Sequence, residues 1–501
     1  MCYNIIATKY KHRGFWAMTT LSQLAQKRNE LAKMLSCFCK EFGVFKLLAR
    51  FGAQKARGIP FRDVFGFILS LVFSGRNLFN TKVSEFGRDT VYRFLNNAKI
   101  HWERIVLLLA TSVITRVRAL TDENRLTAIV IDDSPYSRNR SRKVELLTKV
   151  YDHVTHKFFM GFRMLTMGFT DGATFIPFAK QLMSSVKATV PAKTSDGRTL
   201  AARRRRNAVK EMPARIYELL RMAKAVRIPA KHVLFDSWFS NPVTMMTIKK
   251  IGFYCVAMLK KNETGYLFRG EKKTLSQIHR SVRKRPGRSK YLASVSILLT
   301  HKDFTDPVPA TVVFVRDRKN SKKWCALIST DASLTPEQII ELYGKRWDIE
   351  VFFKMCKSYL KLAKEFEGRS YDMMTAHTSI VFIRYICLAW EQRQNRDPRC
   401  FGELFYFLTD EIEDISFRQA LETLLSVMLE ALHDALFLTE SQITYLLDNF
   451  FAKLPPFYQN LLVPTGRVAR RLATSSPHRT NPAKSGIPKF TANPLCLAHP
   501  P

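Results

Sequence analysis

The chain has 501 residues, of which 80 are Lys or Arg and 42 are Asp or Glu, so its formal net charge is +38. With 46% hydrophobic residues it is apolar enough to bury a sizeable core, which excludes an intrinsically disordered protein. The excess of basic residues predicts a polyanionic partner. Charge alone does not choose DNA over RNA, and ribosome-associated and membrane-surface proteins can carry the same excess.

The cysteines and the apolar segments favour a cytoplasmic protein. Nine Cys form no C-x-x-C pair, so the sequence predicts neither a zinc site nor a disulfide framework. The most apolar window, from Val64 to Phe73, is too short to span a bilayer. The N-terminal segment lacks the apolar core of a signal peptide, so we expect neither export nor a membrane partner. Translation begins at Met1 or at Met18.

Residues from about 20 to 120 have a helical pattern, because apolar residues recur at steps of three and four. Between the longest helical segments, short stretches mix Arg, Lys, Tyr and Asn, as in proteins that contact DNA. Two interpretations remain open for this region. It is a helical domain that binds DNA ends, or a plain helical bundle with solvated charges.

Further along the chain, two apolar runs each lead into carboxylates. Residues 128–131 precede Asp132 and Asp133, and residues 233–235 precede Asp236. Short apolar runs of this kind predict buried strands of an α/β sheet, and ligands gather at the edge where such strands end. A single Asp after a strand is more often a turn former or a helix cap, so each needs the support of the others.

Between these runs the sequence predicts successive strands, with Asp171-Gly172 as a hairpin turn. The run from Arg203 to Arg206 then opens a predicted helix. Four arginines in a row are usually a solvated face, but beside a strand that ends in a carboxylate they also suit a nucleic-acid backbone. Arg203 and Arg204 are therefore candidate DNA contacts.

After Asp236, a basic, turn-rich segment is flanked by strand-like segments, which predicts a mostly β insertion at about 255–332. Trp324 lies near its end. This side chain either packs on the sheet or offers a stacking surface for a base. Trp238 has the same two interpretations.

The segment from Tyr343 to Lys357 carries four chemically active residues at helical spacing. Tyr343, Arg346, Glu350 and Lys357 fall on one face of a helix. A carboxylate holds a divalent metal, and the flanking cations hold nucleic-acid phosphates. The pattern therefore indicates phosphodiester chemistry, the alternative being a solvated amphipathic helix.

The spacing of Tyr, two residues, Arg, three, Glu, six and Lys resembles the signature of cut-and-paste transposases of the insertion-sequence-four family. The resemblance implies a D-D-E triad in an RNase H-like core. Glu350 would be the third acid and Asp236 the second. In the family the first acid precedes a small hydroxyl residue, which favours Asp133 before Ser134, while Asp132 remains the alternative.

The resemblance also implies the cofactor and the DNA contacts. Two Mg²⁺ ions, or Mn²⁺ in their place, would be held by Asp133, Asp236 and Glu350 and would promote in-line displacement at phosphorus. The predicted DNA-binding residues are Tyr343, Arg346, Lys357, Arg203, Arg204 and Trp324.

On this basis we expect a DNA transposase that cuts an insertion sequence at its terminal inverted repeats and joins it to target DNA. Its partner would be double-stranded DNA, on which it would act as a homodimer, in the cytoplasm at the bacterial nucleoid. Two other functions remain open. One is a metal-dependent nuclease without strand transfer, and the other is a transposase-derived DNA-binding protein that no longer cleaves.

The predicted fold is α/β and has four parts. A helical DNA-end-binding domain covers residues 1–120, and an RNase H-like core covers 125–400 and contains the β insertion. An acidic helical region follows at 401–464. Residues 465–501 form a basic tail, rich in Pro and Ser, that we expect to be disordered.

Overall fold

The computed structural model describes residues 21–394, apart from 56, 75–77, 79–85, 153–154, 191, 193–195, 287–288 and 317–322, together with Ser441, Gln442, Tyr445 and Asn449. The chain divides into two compact units, Lys27–Thr409 with Leu497–Pro501, and Met1–Gln26 with Asp410–Cys496. Almost all described residues belong to the first unit. The predicted basic tail, and all but four residues of the predicted acidic helical region, lie outside the described residues.

Helices dominate the described part of the chain before the first strand and recur after each group of strands. Their bounds are α1 Leu21–Glu41, α2 Val44–Leu48, α3 Phe61–Leu71, α4 Arg88–Leu95, α5 Trp102–Ala119, α6 Leu200–Ala208, α7 Met212–Ala225, α8 Pro242–Ile251, α9 Leu275–Ser281, α10 Pro336–Gly344, α11 Trp347–Ser358 and α12 Tyr371–Gln394. A π-helical turn lies at Ala49–Ala53 and a 3₁₀ turn at Val72–Ser74.

The strands of the described residues form a single eleven-stranded sheet. Their bounds are β1 Ala128–Ser137, β2 Thr148–Asp152, β3 Lys157–Thr170, β4 Phe175–Met183, β5 His232–Phe235, β6 Tyr254–Leu259, β7 Gly265–Phe268, β8 Glu271–Thr274, β9 Ala293–Leu299, β10 Val308–Arg316 and β11 Trp324–Ser329.

The first part of the sheet is compatible with an RNase H-like core. Strand β1 pairs antiparallel with β3, which also pairs antiparallel with β4, and the predicted hairpin at Asp171-Gly172 joins β3 to β4. On its other side, β1 pairs parallel with β5, and β5 pairs parallel with β6. The order β4-β3-β1-β5-β6 therefore combines three antiparallel strands with two parallel ones.

Beyond β6 the sheet continues with antiparallel strands in the order β11, β10, β9, β7 and β8. These strands and α9 lie within the range predicted as a β insertion, whereas β6, at the start of that range, is the last parallel strand of the core. The continuous sheet places the insertion on the β6 side of the acids.

Helix α5 packs on the sheet. It contacts β4 and α12, and Trp102, its first residue, is fully buried. Residues from Lys27 to Thr409 belong to the same compact unit.

Helix α12 is the central helix of this unit. By length and composition it is apolar enough to cross a membrane, but its whole apolar window is buried inside the protein, as in the core helix of a globular protein. Arg384 lies within it, fully buried, and donates to both carboxylate oxygens of Glu365 at 2.6 and 2.8 Å. It also donates to the backbone carbonyls of Ile68 and Leu69, which ties α12 to α3.

Candidate active site

Strand register places Asp132 beside Asp236. Strand β1 pairs with β5 so that Val130 lies opposite Leu234, and two residues further along Asp132 is level with Asp236. Side chains alternate between the two faces of a strand, and residues in parallel register point to the same face. Asp132 and Asp236 therefore share one face at the carboxyl end of β5.

Asp133 points to the other face. There its carboxylate accepts a bidentate pair of hydrogen bonds from Arg163 on β3, with Arg163 Nη2 2.9 Å from Asp133 Oδ1. The motif favours Asp133 as the first acid, but the geometry favours Asp132. Two adjacent acids in a sequence motif do not reveal which of them lies beside Asp236, because that depends on the pairing register of β1 with β5.

Glu350 reaches the same face as Asp132 through α11, which packs against β1. Arg346 connects the two acids. Its Nη2 donates to Glu350 Oε1 at 2.6 Å, and its Nη1 lies 3.7 Å from Asp132 Oδ2. The structure thus places Asp132 level with Asp236 and links Asp132 to Glu350 through Arg346.

The surroundings of Asp132 disfavour its charged form. Burial, Asp236 and Asp133 together raise its pKa to about 8, and Arg346 opposes them only in part. A carboxyl that is buried among other carboxylates ionises readily only when a positive charge lies nearby. The shift arises from tertiary packing, so no local sequence pattern predicts it.

The predicted single helix of Tyr343 to Lys357 is two helices, which corrects the sequence interpretation. Helix α10 ends at Gly344 and α11 begins at Trp347. Between them, the Lys345 and Arg346 amides bond three residues back, to the carbonyls of Leu342 and Tyr343. This tight turn keeps the helical sense, so Arg346 and Glu350 still meet.

The Tyr343 hydroxyl is an interior group. Burial raises the pKa of Tyr343 to about 12, against the opposing charge of Arg346, whose guanidinium carbon lies 5.8 Å from the centre of the Tyr343 ring. The hydroxyl makes no hydrogen bond of normal geometry among the described residues. The Tyr343 side chain is buried, and its ring packs beside the Arg346 guanidinium.

Lys357 lies at the far end of α11, half-buried. Burial lowers its pKa, and the carboxylates of Asp152 and Asp132 oppose this shift only in part. Its ammonium group is thus within electrostatic range of the acids. Lys357 remains suited to hold a phosphate next to them.

The three acids fit a divalent metal in their chemistry, since carboxylate oxygens are the ligands that Mg²⁺ prefers. The burial of Asp132 beside Asp236, which Arg346 compensates only in part, supports the same fit. Within the part of the chain that the structure describes, however, no three His, Cys, Asp or Glu side chains are grouped as a ready-made metal site. The Arg346 guanidinium lies between Asp132 and Glu350 instead.

The arginine run on α6 is divided between the surface and the interior. Arg203 is exposed, as predicted for a DNA contact. Arg204 is buried, pairs with Asp372 at 2.6 Å, and donates to the backbone carbonyls of Ala98 and Ile100. The Arg204 guanidinium thus contacts protein atoms, and its contact with DNA stays a prediction.

Arg203→Ala and Arg204→Ala are therefore expected to have different effects. If Arg203 holds a phosphate, its loss lowers the slope of log affinity against log salt by about 0.9, with little change in stability. Loss of Arg204 leaves Asp372 with Arg205 alone and destabilises the fold by about 3 kcal/mol. The salt dependence of DNA binding measures the first effect, and urea denaturation measures the second. Equal destabilisation by Arg203→Ala and Arg204→Ala would contradict the distinction between an exposed and a buried arginine.

The two tryptophans also differ. Trp324 stacks on His279 with ring centres 4.4 Å apart and meets Phe314 edge-on, so its packing role is observed. Trp238 is 48% exposed and lies two residues after Asp236. Cations from two other strands or strand ends flank its ring, with Lys260 Nζ at 4.5 Å and the Arg163 guanidinium at 5.5 Å. Trp238 is thus the better placed of the two to meet a base.

A family model matches part of the chain. The model of a family described as DDE superfamily endonuclease matches residues 78–324, just under half of the chain. The match supports a DDE transposase-type family. It includes Asp132, Asp133 and Asp236 and ends before Glu350. No curated protein matches the chain.

Proposed function

We propose that this protein is a cut-and-paste DNA transposase that uses Asp132, Asp236 and Glu350 as its acids. The observation that supports the proposal is the placement of Asp132 level with Asp236 on neighbouring parallel strands, with the Arg346 guanidinium between Asp132 and Glu350. Asp132 replaces Asp133 in this assignment.

The acids would hold two divalent ions, Mg²⁺ or Mn²⁺, which when bound activate a nucleophilic oxygen and stabilise the leaving oxygen at phosphorus. The chain's own residues orient the substrate around them. Lys357 places a positive charge within electrostatic range of Asp132. Arg346 is suited to a two-pronged grip on phosphate, and lysine to a point-charge contact.

The rest of the chain supplies affinity for DNA. Its net charge of +38 favours any polyanion, Arg203 offers an exposed guanidinium, and Trp238 offers an exposed ring two residues after Asp236. We propose that the protein acts on double-stranded DNA as a homodimer, at the nucleoid of a bacterial cytoplasm. The N-terminal helices would position the ends of the element.

A strand-transfer assay tests transposition against simple hydrolysis. The substrate is linear DNA carrying the sequences that bracket the gene, incubated with a supercoiled target plasmid and Mg²⁺. We expect both cut ends and joined products. Cuts without joined products would instead support a nuclease, and binding without either product would support a DNA-binding protein that no longer cleaves.

We expect Trp238→Ala to weaken binding of DNA that has unpaired bases at the cleavage site. Stacking of a base on an aromatic ring contributes about 1–3 kcal/mol, so affinity falls roughly 5- to 100-fold. Binding to fully paired DNA changes less. Fluorescence of a base analogue at the unpaired position measures the effect, with exposed Leu120→Ala as the control. Equal affinities of Trp238→Ala and wild type for the unpaired substrate would contradict this role.

A further inference from the structure

The acid cluster contains a positive charge that belongs to the chain itself. Arg346 Nη2 donates to Glu350 Oε1 at 2.6 Å, and Nη1 lies 3.7 Å from Asp132 Oδ2. The Arg346 side chain is only 4% exposed, whereas that of Glu350 is 32% exposed. Two of the three carboxylates therefore share one internal guanidinium.

The positive charge of Arg346 cannot be removed from the cluster by deprotonation. Burial would lower the pKa of Arg346, but Tyr343, Glu350 and Asp132 outweigh that effect and raise it. Arginine stays charged in proteins under ordinary conditions. The positive charge can be removed from the acids only if the side chain moves.

A divalent ion and this guanidinium compete for the same oxygens. Two cations held within a few ångströms of each other in a partly buried site repel strongly, because solvent screens them poorly. The described side chains show no ready-made grouping of three metal ligands, while Arg346 bridges two of the acids. The arrangement is that of a carboxylate cluster neutralised by an arginine.

We propose that Arg346 is a positioning residue that neutralises the metal-free acids and is displaced from them when a divalent ion binds. This inference rests on the proposed function. On metal binding the Arg346 side chain moves, while the backbone of the turn before α11 stays where it is. The released guanidinium then becomes available for a DNA phosphate, so metal and DNA favour each other's binding. Such coupling acts equally in both directions.

Metal binding without DNA tests this directly. Mn²⁺ is titrated into the full-length, DNA-free protein by calorimetry, for wild type, Arg346→Gln and Lys364→Gln. Lys364 is the control, because it is an exposed cation that lies beyond the end of α11. Removing the competing charge at the acids should tighten Mn²⁺ binding by about tenfold or more in Arg346→Gln, and Lys364→Gln should match wild type. Affinity in Arg346→Gln equal to or weaker than wild type would overturn the inference.

A second variant keeps the test decisive if Arg346→Gln does not fold, which circular dichroism shows. Arg346→Lys retains the charge but cannot span two carboxylates, so we expect it to bind Mn²⁺ more tightly than wild type. Wild-type affinity in the lysine variant would overturn the inference. Failure of every protein to bind Mn²⁺, with or without DNA, would overturn the proposed metal-dependent function as well.

Discussion

Asp132→Asn is expected to lower DNA cleavage by ~10³-fold or more, whereas Asp133→Asn stays within about tenfold of wild type. The asparagine removes a metal-binding charge worth several kcal/mol in the transition state. It keeps the size of the side chain, and the fold accepts a neutral group there, because burial raises the pKa of Asp132 to about 8. Asp133 makes its bidentate pair with Arg163 on the other face, so its loss alters an ion pair and spares the acids.

The measurement is single-turnover cleavage of DNA carrying the bracketing sequences, in Mg²⁺, with gel-shift binding as a parallel readout. Both variants should bind these ends nearly as well as wild type, since the carboxylates do not grip phosphates. Asp236→Asn and Glu350→Gln should resemble Asp132→Asn. The opposite ranking, with Asp133→Asn inactive and Asp132→Asn active, would return the first acid to Asp133.

Much of this site could be predicted from the sequence, because its parts are local patterns. Apolar runs that end in acids predicted the strands before Asp132 and Asp236, and both strands are present. Helical spacing brought Arg346 near Glu350, because the break in the predicted helix lies just before Arg346. One turn of helix is short enough for local rules to hold.

The rest depends on contacts between residues far apart in the chain. Which of Asp132 and Asp133 faces Asp236 is set by pairing across roughly a hundred residues, and no periodicity encodes it. The burial of Arg204 is similar, since its partner Asp372 lies 168 positions away. An arginine run looks the same in sequence whether its partners are phosphates or buried carboxylates.

The interior ion pair of Arg384 and Glu365 leads to the largest stability effect that we expect. Arg384→Met should destabilise the fold by about 3–5 kcal/mol, because it leaves a buried carboxylate without its cation. It also leaves the Ile68 and Leu69 carbonyls without this donor. Exposed Arg116→Met is the control and should change stability by no more than about 0.5 kcal/mol. Urea denaturation at neutral pH measures both.

The pH dependence of stability distinguishes loss of the Arg384–Glu365 ion pair from loss of packing around α12. Burial alone would raise the pKa of Glu365, but Arg384 and His377 outweigh it and lower the pKa to about 2. Because this pKa lies below that of the unfolded chain, the pair's contribution is complete above about pH 4.5 and is lost as pH falls through about 2. The gap in stability between wild type and Arg384→Met should therefore narrow as the pH falls below about 4.5. A gap that stays constant with pH would assign the effect to lost packing around α12, and Glu365→Gln combined with Arg384→Met should then be no more stable than Arg384→Met alone.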